Sequence, residues 1–151
     1  MELGYTPDDI AKGRDYRMKL NDGQVMLDVE AAAAYLGAEK LGIVGDCFGG
    51  TVAWWDATRT TKFAAAVCWY VGGIAATKDE RPNCPVQMHF GEKDASTPMS
   101  RRCGWRSPRP RASFIWAPGT GSAATSGAAS ALPDYALAQQ RTLDFFARNL
   151  G

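Results

Sequence analysis

The stretch Lys40–Gly50, KLGIVGDCFGG, leaves its chain few ways to fold. An apolar run from Leu41 to Val44 ends in Gly45-Asp46-Cys47-Phe48-Gly49-Gly50, and Thr51-Val52-Ala53-Trp54-Trp55 continues beyond it. That order predicts a buried strand over Lys40–Val44, a tight turn flanked by small residues, and a helix over Gly49–Thr58 packed closely behind the strand. A thiol at the apex of such a turn has the form Gly-x-nucleophile-x-Gly. Small residues on both sides let strand and helix approach, and the backbone N–H one residue on can face an oxyanion. The plainer alternative is a glycine-rich turn holding an inert buried cysteine.

The rest of the chain alternates in the same way. Asn21-Asp22-Gly23 starts a predicted helix with Val25, Met26, Val29, Ala32, Ala33 and Leu36 at helical spacing, and Gly37 closes it. Phe63–Val71 and Cys84–Phe90 are predicted as buried strands. Asp134–Leu150 is predicted as a helix with Leu143, Phe146 and Leu150 on one face. This succession is α/β syntax with a mostly parallel sheet. Strand Val86–Phe90 runs into Gly91-Glu92-Lys93-Asp94, which sets a carboxylate just past the C-terminal end of a strand, where open α/β sheets build their sites. Alone, Asp94 is as readily a turn initiator ahead of Pro98.

Composition removes several functional classes. With 151 residues and 46% apolar content the chain can build one domain with a real core, and a net charge of +1 points to neither nucleic acid nor an anionic membrane surface. Its longest apolar run, Phe63–Val71, is far too short to span a bilayer, and the acidic first residues do not resemble a secretory signal. Cys47, Cys68, Cys84 and Cys103 form no CxxC pair, a pattern that fits reduced thiols in the cytoplasm better than a disulfide framework. One histidine and scattered carboxylates supply no metal-ligand cluster, and no phosphate-binding glycine loop with a lysine is present.

Residues 101–133 differ in kind. They hold five arginines (Arg101, Arg102, Arg106, Arg109 and Arg111) and no Asp, Glu, Lys or His. At the acidic density of the other residues, about four or five carboxylates are expected there. Apart from Ser113-Phe114-Ile115-Trp116 the stretch shows neither helical nor strand period. A loop of that length is unusual inside a compact domain.

Taken together, LNDGQVMLDVEAAAAYLGAEKLGIVGDCFGG, FAAAVCWYVGGIA, RPNCPVQMHFGEKDASTPM and DYALAQQRTLDFFARNL resemble the dienelactone hydrolase, or carboxymethylenebutenolidase, family of the α/β-hydrolase fold. The likeness covers most of residues 1–100 and 134–151. It implies an α/β-hydrolase-like sheet with flanking helices, a single domain incomplete on its N-terminal side. It also implies Cys47 as nucleophile, Asp94 as triad acid, the Phe48 N–H in the oxyanion hole, and Trp69 and Tyr70 near the substrate. Such enzymes open enol-lactone rings through an acyl-enzyme, so the implied partner is a small lactone or ester. No nucleic-acid or membrane partner follows, no cofactor is implied, and the oligomeric state is left open.

The resemblance breaks at the base. The family carries a Gly-His-Gly/Ser-Phe motif between the acid and the last helix, and here that position falls within 101–133, where histidine is absent. In the family a histidine at the position of His89 is a strand residue, and a lone strand histidine is more often packed than catalytic. Regrouping the codons of Gly119–Ser130 by one base permits His-Gly-Phe-Gly-Cys-Asp-Gln-Arg-Gly-Ser-Phe, the missing motif and its usual continuation. The expectation is therefore a reading frame shifted after about Met99 and restored near Asp134, with the chain starting partway through the family pattern. On this reading the polypeptide is a hydrolase with impaired activity. The other readings are a non-catalytic module whose basic stretch meets an acidic partner, and a cysteine hydrolase using His89.

Overall fold

A computed structural model describes residues 2–77, 79–91, 112–117 and 132–151. The chain divides into two compact units, one ending at Leu36 and one spanning Gly37–Gly151.

The first unit is a pair of helices, α1 (Pro7–Lys19) and α2 (Asp22–Leu36). Pro7 occupies the opening position of α1, where its missing N–H costs nothing. Thr6 and Asp9 form a reciprocal capping box, with the Asp9 N–H donating to Thr6 Oγ1 at 3.2 Å. The Thr6-Pro7-Asp8-Asp9 signature announces this helix, although the acidic start gave no expectation of one. Asn21 caps α2 by accepting from the Gln24 N–H at 3.1 Å, and Gly37 closes it at φ +58°, as its sequence predicts. Of the apolar positions predicted for α2 only Ala33 is buried, and Leu36 is exposed.

The second unit is built on β1 (Gly42–Asp46), α3 (Phe48–Arg59), β2 (Ala65–Trp69), a 3-10 turn (Gly73–Thr77), β3 (Val86–Gly91), β4 (Ala112–Ala117) and α4 (Leu132–Leu150). The four strands lie in the order β1-β2-β3-β4, every neighbouring pair parallel. β2 and β3 are buried along their whole length, which is why their sequences carry no polar alternation. β4 forms inside the basic stretch, around the one segment with strand-like residues, so the expectation of a loop is revised at 112–117.

Register divides the sheet into two faces. Ile43, Gly45, Ala66, Cys68, Val86 and Met88 share the face that receives α3, with its buried Trp54. The Trp54 indole N–H donates to Thr77 Oγ1 at 2.9 Å, so the largest buried ring also satisfies its polar end. At the far end of α3, Asn83 donates through its Nδ2 to the carbonyls of Thr58 and Thr60 and through its backbone N–H to Ala57. It thereby satisfies acceptors that a helix C-terminus leaves open.

α4 covers the opposite face, where Ala65, Val67 and Trp69 pack with Ala138 and Phe145, flanked by Phe146 and Leu150. Of the three residues predicted to share its inner face, Phe146 and Leu150 do pack here, while Leu143 is exposed; the helix is turned so that Ala138, Thr142 and Phe145 lie deepest. The inward threonine has a partner. Thr142 Oγ1 donates to the Ala138 carbonyl at 3.1 Å and lies 3.1 Å from His89 Nε2, which is also 2.8 Å from Gln87 Nε2. His89 is 3% exposed and stacks on Trp69 with ring centroids 4.2 Å apart.

Burial, and then the nearby Arg141 guanidinium, lowers the His89 pKa to about 4. Below pH 6.5 the unfolded chain takes up a proton that folded His89 refuses, so its contribution to stability is intact above 6.5. It is lost progressively as pH falls toward 4. Urea unfolding between pH 7 and 4 is expected to show a decline of about 2–3 kcal/mol from this group. His89→Gln should flatten that part of the curve; an unchanged slope in the variant would assign the decline to other groups.

Candidate active site

The peptide chain reverses at Cys47 in a conformation that side-chain-bearing residues rarely adopt, φ 54° and ψ −112°. Two hydrogen bonds hold it there. The Cys47 N–H donates to the Trp69 carbonyl at 2.8 Å, extending the β1–β2 ladder by one bond. The Thr51 N–H donates to the Cys47 carbonyl at 3.2 Å, starting α3 directly behind it. Glycine then removes what would stop the helix from closing on the strand. A Cβ on Gly45 would lie 2.1 Å from the Gly49 carbonyl oxygen, and one on Gly50 would lie 2.7 Å from that of Trp69. The thiol is left exposed at the C-terminal edge of the sheet, and Phe48 opens α3 beside it. The N-terminal end of a helix favours negative charge through its partial positive potential.

The other two described cysteines are different. Cys68 lies at full burial inside β2 and Cys84 is buried as well. Burial, with Cys84 adding to it, pushes the Cys68 thiol far above its ordinary value, so it stays protonated and inert. Asp46, one residue before the turn, has its carboxyl raised by partial burial.

Trp69 and Tyr70 end β2 alongside the turn. Tyr70 also has positive φ, at 52°, and its N–H donates to the His89 carbonyl at 3.0 Å, so the chain bends away from the sheet just after Trp69. Tyr70 and Tyr135 both pack on the Trp69 ring, with centroids 5.8 and 5.7 Å away. Thr51 ties the following loop to α3 by accepting from the Gly73 N–H at 3.3 Å, and a Cβ on Gly73 would strike the Thr51 methyl at 2.6 Å. Neither Thr51 nor Gly73 stood out in the sequence; the only signal was that both are small residues close to larger motifs.

Of the residues implied by the resemblance, Cys47, Phe48, Trp69 and Tyr70 therefore gather at one end of the sheet. Asp94 and position 120 lie outside the described residues. His89 is near in register, since Trp69 pairs with it, yet its ring is engaged by Gln87, Thr142 and Trp69 and forms no hydrogen bond to Cys47. Among the described residues no group of three or more His, Cys, Asp or Glu could hold a metal ion, and no helix is long and apolar enough to cross a membrane.

The two glycines flanking Cys47 make a contrast that tests this geometry. Gly45→Ala drives a methyl into backbone that has nowhere to go and is expected to cost more than about 3 kcal/mol. Gly49→Ala meets nothing within 4 Å and lies in a helix, so it should be neutral or raise stability by up to about 1 kcal/mol. Thermal melts of the two variants decide it; equal losses would mean the close approach at Gly45 does not govern the turn.

Comparison with known proteins fits this arrangement. Residues 6–108 match the model of the dienelactone hydrolase family. A Synechocystis protein named "Putative carboxymethylenebutenolidase" is 30% identical, covering 66% of this chain and 46% of the relative. A Salmonella typhimurium protein of the same name is 29% identical, over 86% and 56%. Among solved structures, a "Putative Dienelactone Hydrolase" from Klebsiella pneumoniae superposes with a TM-score of 0.72 at 28% identity, over 86% of this chain and 63% of that one. The chain spans about half the length of the curated relatives it matches. Fold, turn geometry and family match agree, and this chain belongs to the dienelactone hydrolase family.

Proposed function

We propose that this chain is a hydrolase of lactones or small esters that uses Cys47 as its nucleophile and runs far below the rate of a complete triad. The observation that carries the reading is the exposed Cys47 thiol on a turn of positive φ at the C-terminal edge of a parallel sheet. In this mechanism the Cys47 sulfur attacks the ester or lactone carbonyl and the negative charge moves to the carbonyl oxygen. The Phe48 N–H, at the helix start, is the donor suited to that oxyanion. The ester or lactone C–O bond then breaks to give a thioester, and the expelled oxygen takes up from water the proton that the thiol gave to the solvent. A water molecule hydrolyses the thioester to release the acid and regenerate the thiol. Trp69 and Tyr70 supply an aromatic wall for an unsaturated ring. Asp94 is assigned as the triad acid by its position after β3.

Among the described residues no histidine is free to serve as the base. The chain's single histidine is His89, buried and engaged on β3. Without an imidazole to take the thiol proton, attack depends on the small fraction of thiolate formed in water, and losing one triad member costs several orders of magnitude. Three measurements follow. The chain should hydrolyse an activated ester slowly, and Cys47→Ala should remove what activity there is. Iodoacetamide should label Cys47 ahead of Cys68 and Cys84 in the folded chain, but more slowly than the nucleophile of a relative with its histidine. Replacing residues 120–130 by the shifted reading His-Gly-Phe-Gly-Cys-Asp-Gln-Arg-Gly-Ser-Phe should raise Cys47-dependent turnover by at least about a hundredfold. Rapid turnover by the unaltered chain that persists in Cys47→Ala would overturn the assignment.

A further inference from the structure

The segment that follows β2 is pinned to the Cys47 turn at both of its ends. At one end the Cys47 N–H donates to the Trp69 carbonyl at 2.8 Å. At the other the Gly73 N–H donates to Thr51 Oγ1 at 3.3 Å, and the Thr51 N–H returns to the Cys47 carbonyl at 3.2 Å. These three bonds close a circuit from Cys47 through Trp69, Tyr70 and Gly73 to Thr51 and back. The Thr51 hydroxyl is its one side-chain group; the others are backbone. Thr51 is buried, and valine would fill the same space with no hydroxyl to desolvate, so the bond to Gly73 is what the threonine adds. Within the circuit the chain bends at Tyr70 and passes through Gly72 and Gly73, residues whose backbone has wide freedom unless something holds it.

We propose that Thr51 is a positioning residue for substrate selection: its hydroxyl holds the Gly73 end of this segment, and so fixes the Tyr70 ring beside the thiol in favour of flat, aromatic acyl groups over small aliphatic ones. The inference rests on the reading of Cys47 as nucleophile and of Trp69 and Tyr70 as the wall beside it. The two rings are held differently. Trp69 is buried in the sheet and stacked on His89, whereas Tyr70 is half-buried and meets the Trp69 ring edge-on at 5.8 Å. Releasing Gly73 therefore leaves Trp69 in place and lets Tyr70 swing away. The Thr51 N–H, which starts α3 behind Cys47, is backbone and survives any change of side chain. The effect thus falls on which reagent is selected and not on the thiol itself. Packing supplies the rival explanation, because a Cβ on Gly73 would lie 2.6 Å from the Thr51 methyl, so that methyl also abuts the segment.

Alkylation of the full chain separates hydroxyl from methyl. Rates at Cys47 are measured by mass spectrometry with iodoacetamide and with N-phenyl iodoacetamide, each relative to a short cysteine peptide. The unaltered chain should favour the phenyl reagent by about fivefold, the scale of one aromatic contact. Thr51→Val keeps the methyl and removes the acceptor, and should bring that preference down to the peptide's. Thr51→Ser keeps the acceptor and should retain the preference. Gly73→Ala leaves Thr51 intact but drives a methyl against it, and should lose the preference by displacing the segment. Cys68 and Cys84, both buried, should stay unlabelled in each folded variant, which distinguishes a displaced segment from general unfolding. A preference that Thr51→Val keeps, or that Thr51→Ser loses, would overturn the proposal while leaving Cys47 as nucleophile. An unaltered chain with no preference for the phenyl reagent would remove the aromatic wall, and the proposal with it.

Discussion

Everything in the second unit depends on how closely α3 can lie against β1. The turn at Cys47 joins them with no intervening loop, so the helix must start where the strand stops. Backbone carbonyls of Gly49 and Trp69 occupy the places where side chains of Gly45 and Gly50 would be. Once that approach is made, Trp54 and Trp55 are carried into the core on the same helix, and β2 is set beside β1 through the bond from Cys47 to Trp69. The positive φ at Cys47 is a local cost of about 1–2 kcal/mol for a residue with a side chain. It is offset by the packing that the turn makes possible, and its result is a thiol that projects from the sheet instead of folding into it.

The two faces of the sheet are held by different chemistry. Toward α3 the contact is mainly apolar, with Trp54 closing on the inner strands. Toward α4 a buried polar group, His89 with Gln87 and Thr142, sits beside the apolar cluster of Val67, Trp69 and Phe145. A buried polar group fixes one arrangement, because its partners are lost if the helix slides or turns. This fits the exposure of Leu143 on a helix whose Phe146 and Leu150 pack inward: Thr142 reaches His89, and that rotation leaves Leu143 at the surface.

Much of this was legible in the sequence. Glycine spacing around Cys47 gave the turn, apolar runs gave β1, β2 and β3, and Gly37 gave the end of α2, because each depends on local chemistry that residue types carry with them. Boundaries moved by one or two residues, as strand ends do when pairing decides them. The helix at Pro7–Lys19 was written in a capping box, while its weak apolar pattern hid it; none of its residues is buried. The rotation of α4 and the Thr51–Gly73 link were not legible, since both depend on which distant residue happens to face them. For the candidate site, glycine spacing singled out the Cys47 turn, whereas Trp69, Tyr70 and every catalytic role came from the resemblance, because composition and spacing carry no such information.

The same geometry limits what His89 can do for Cys47. To act as a base, its ring would have to leave Trp69, Gln87 and Thr142 and rotate toward the end of the sheet, abandoning the contacts that orient α4. Its low proton affinity compounds the problem: an imidazole with a pKa near 4 is a poor acceptor for a thiol proton, even at the right distance. Raising that affinity would require solvent or a carboxylate beside the ring, and the ring is only 3% exposed and stacked on Trp69. The burial that makes His89 useful for holding α4 is also what lowers its proton affinity. Among the described residues, the turn at Cys47 and the imidazole of His89 are therefore built for different tasks, the one exposing a thiol beside a helix N-terminus and the other holding α4.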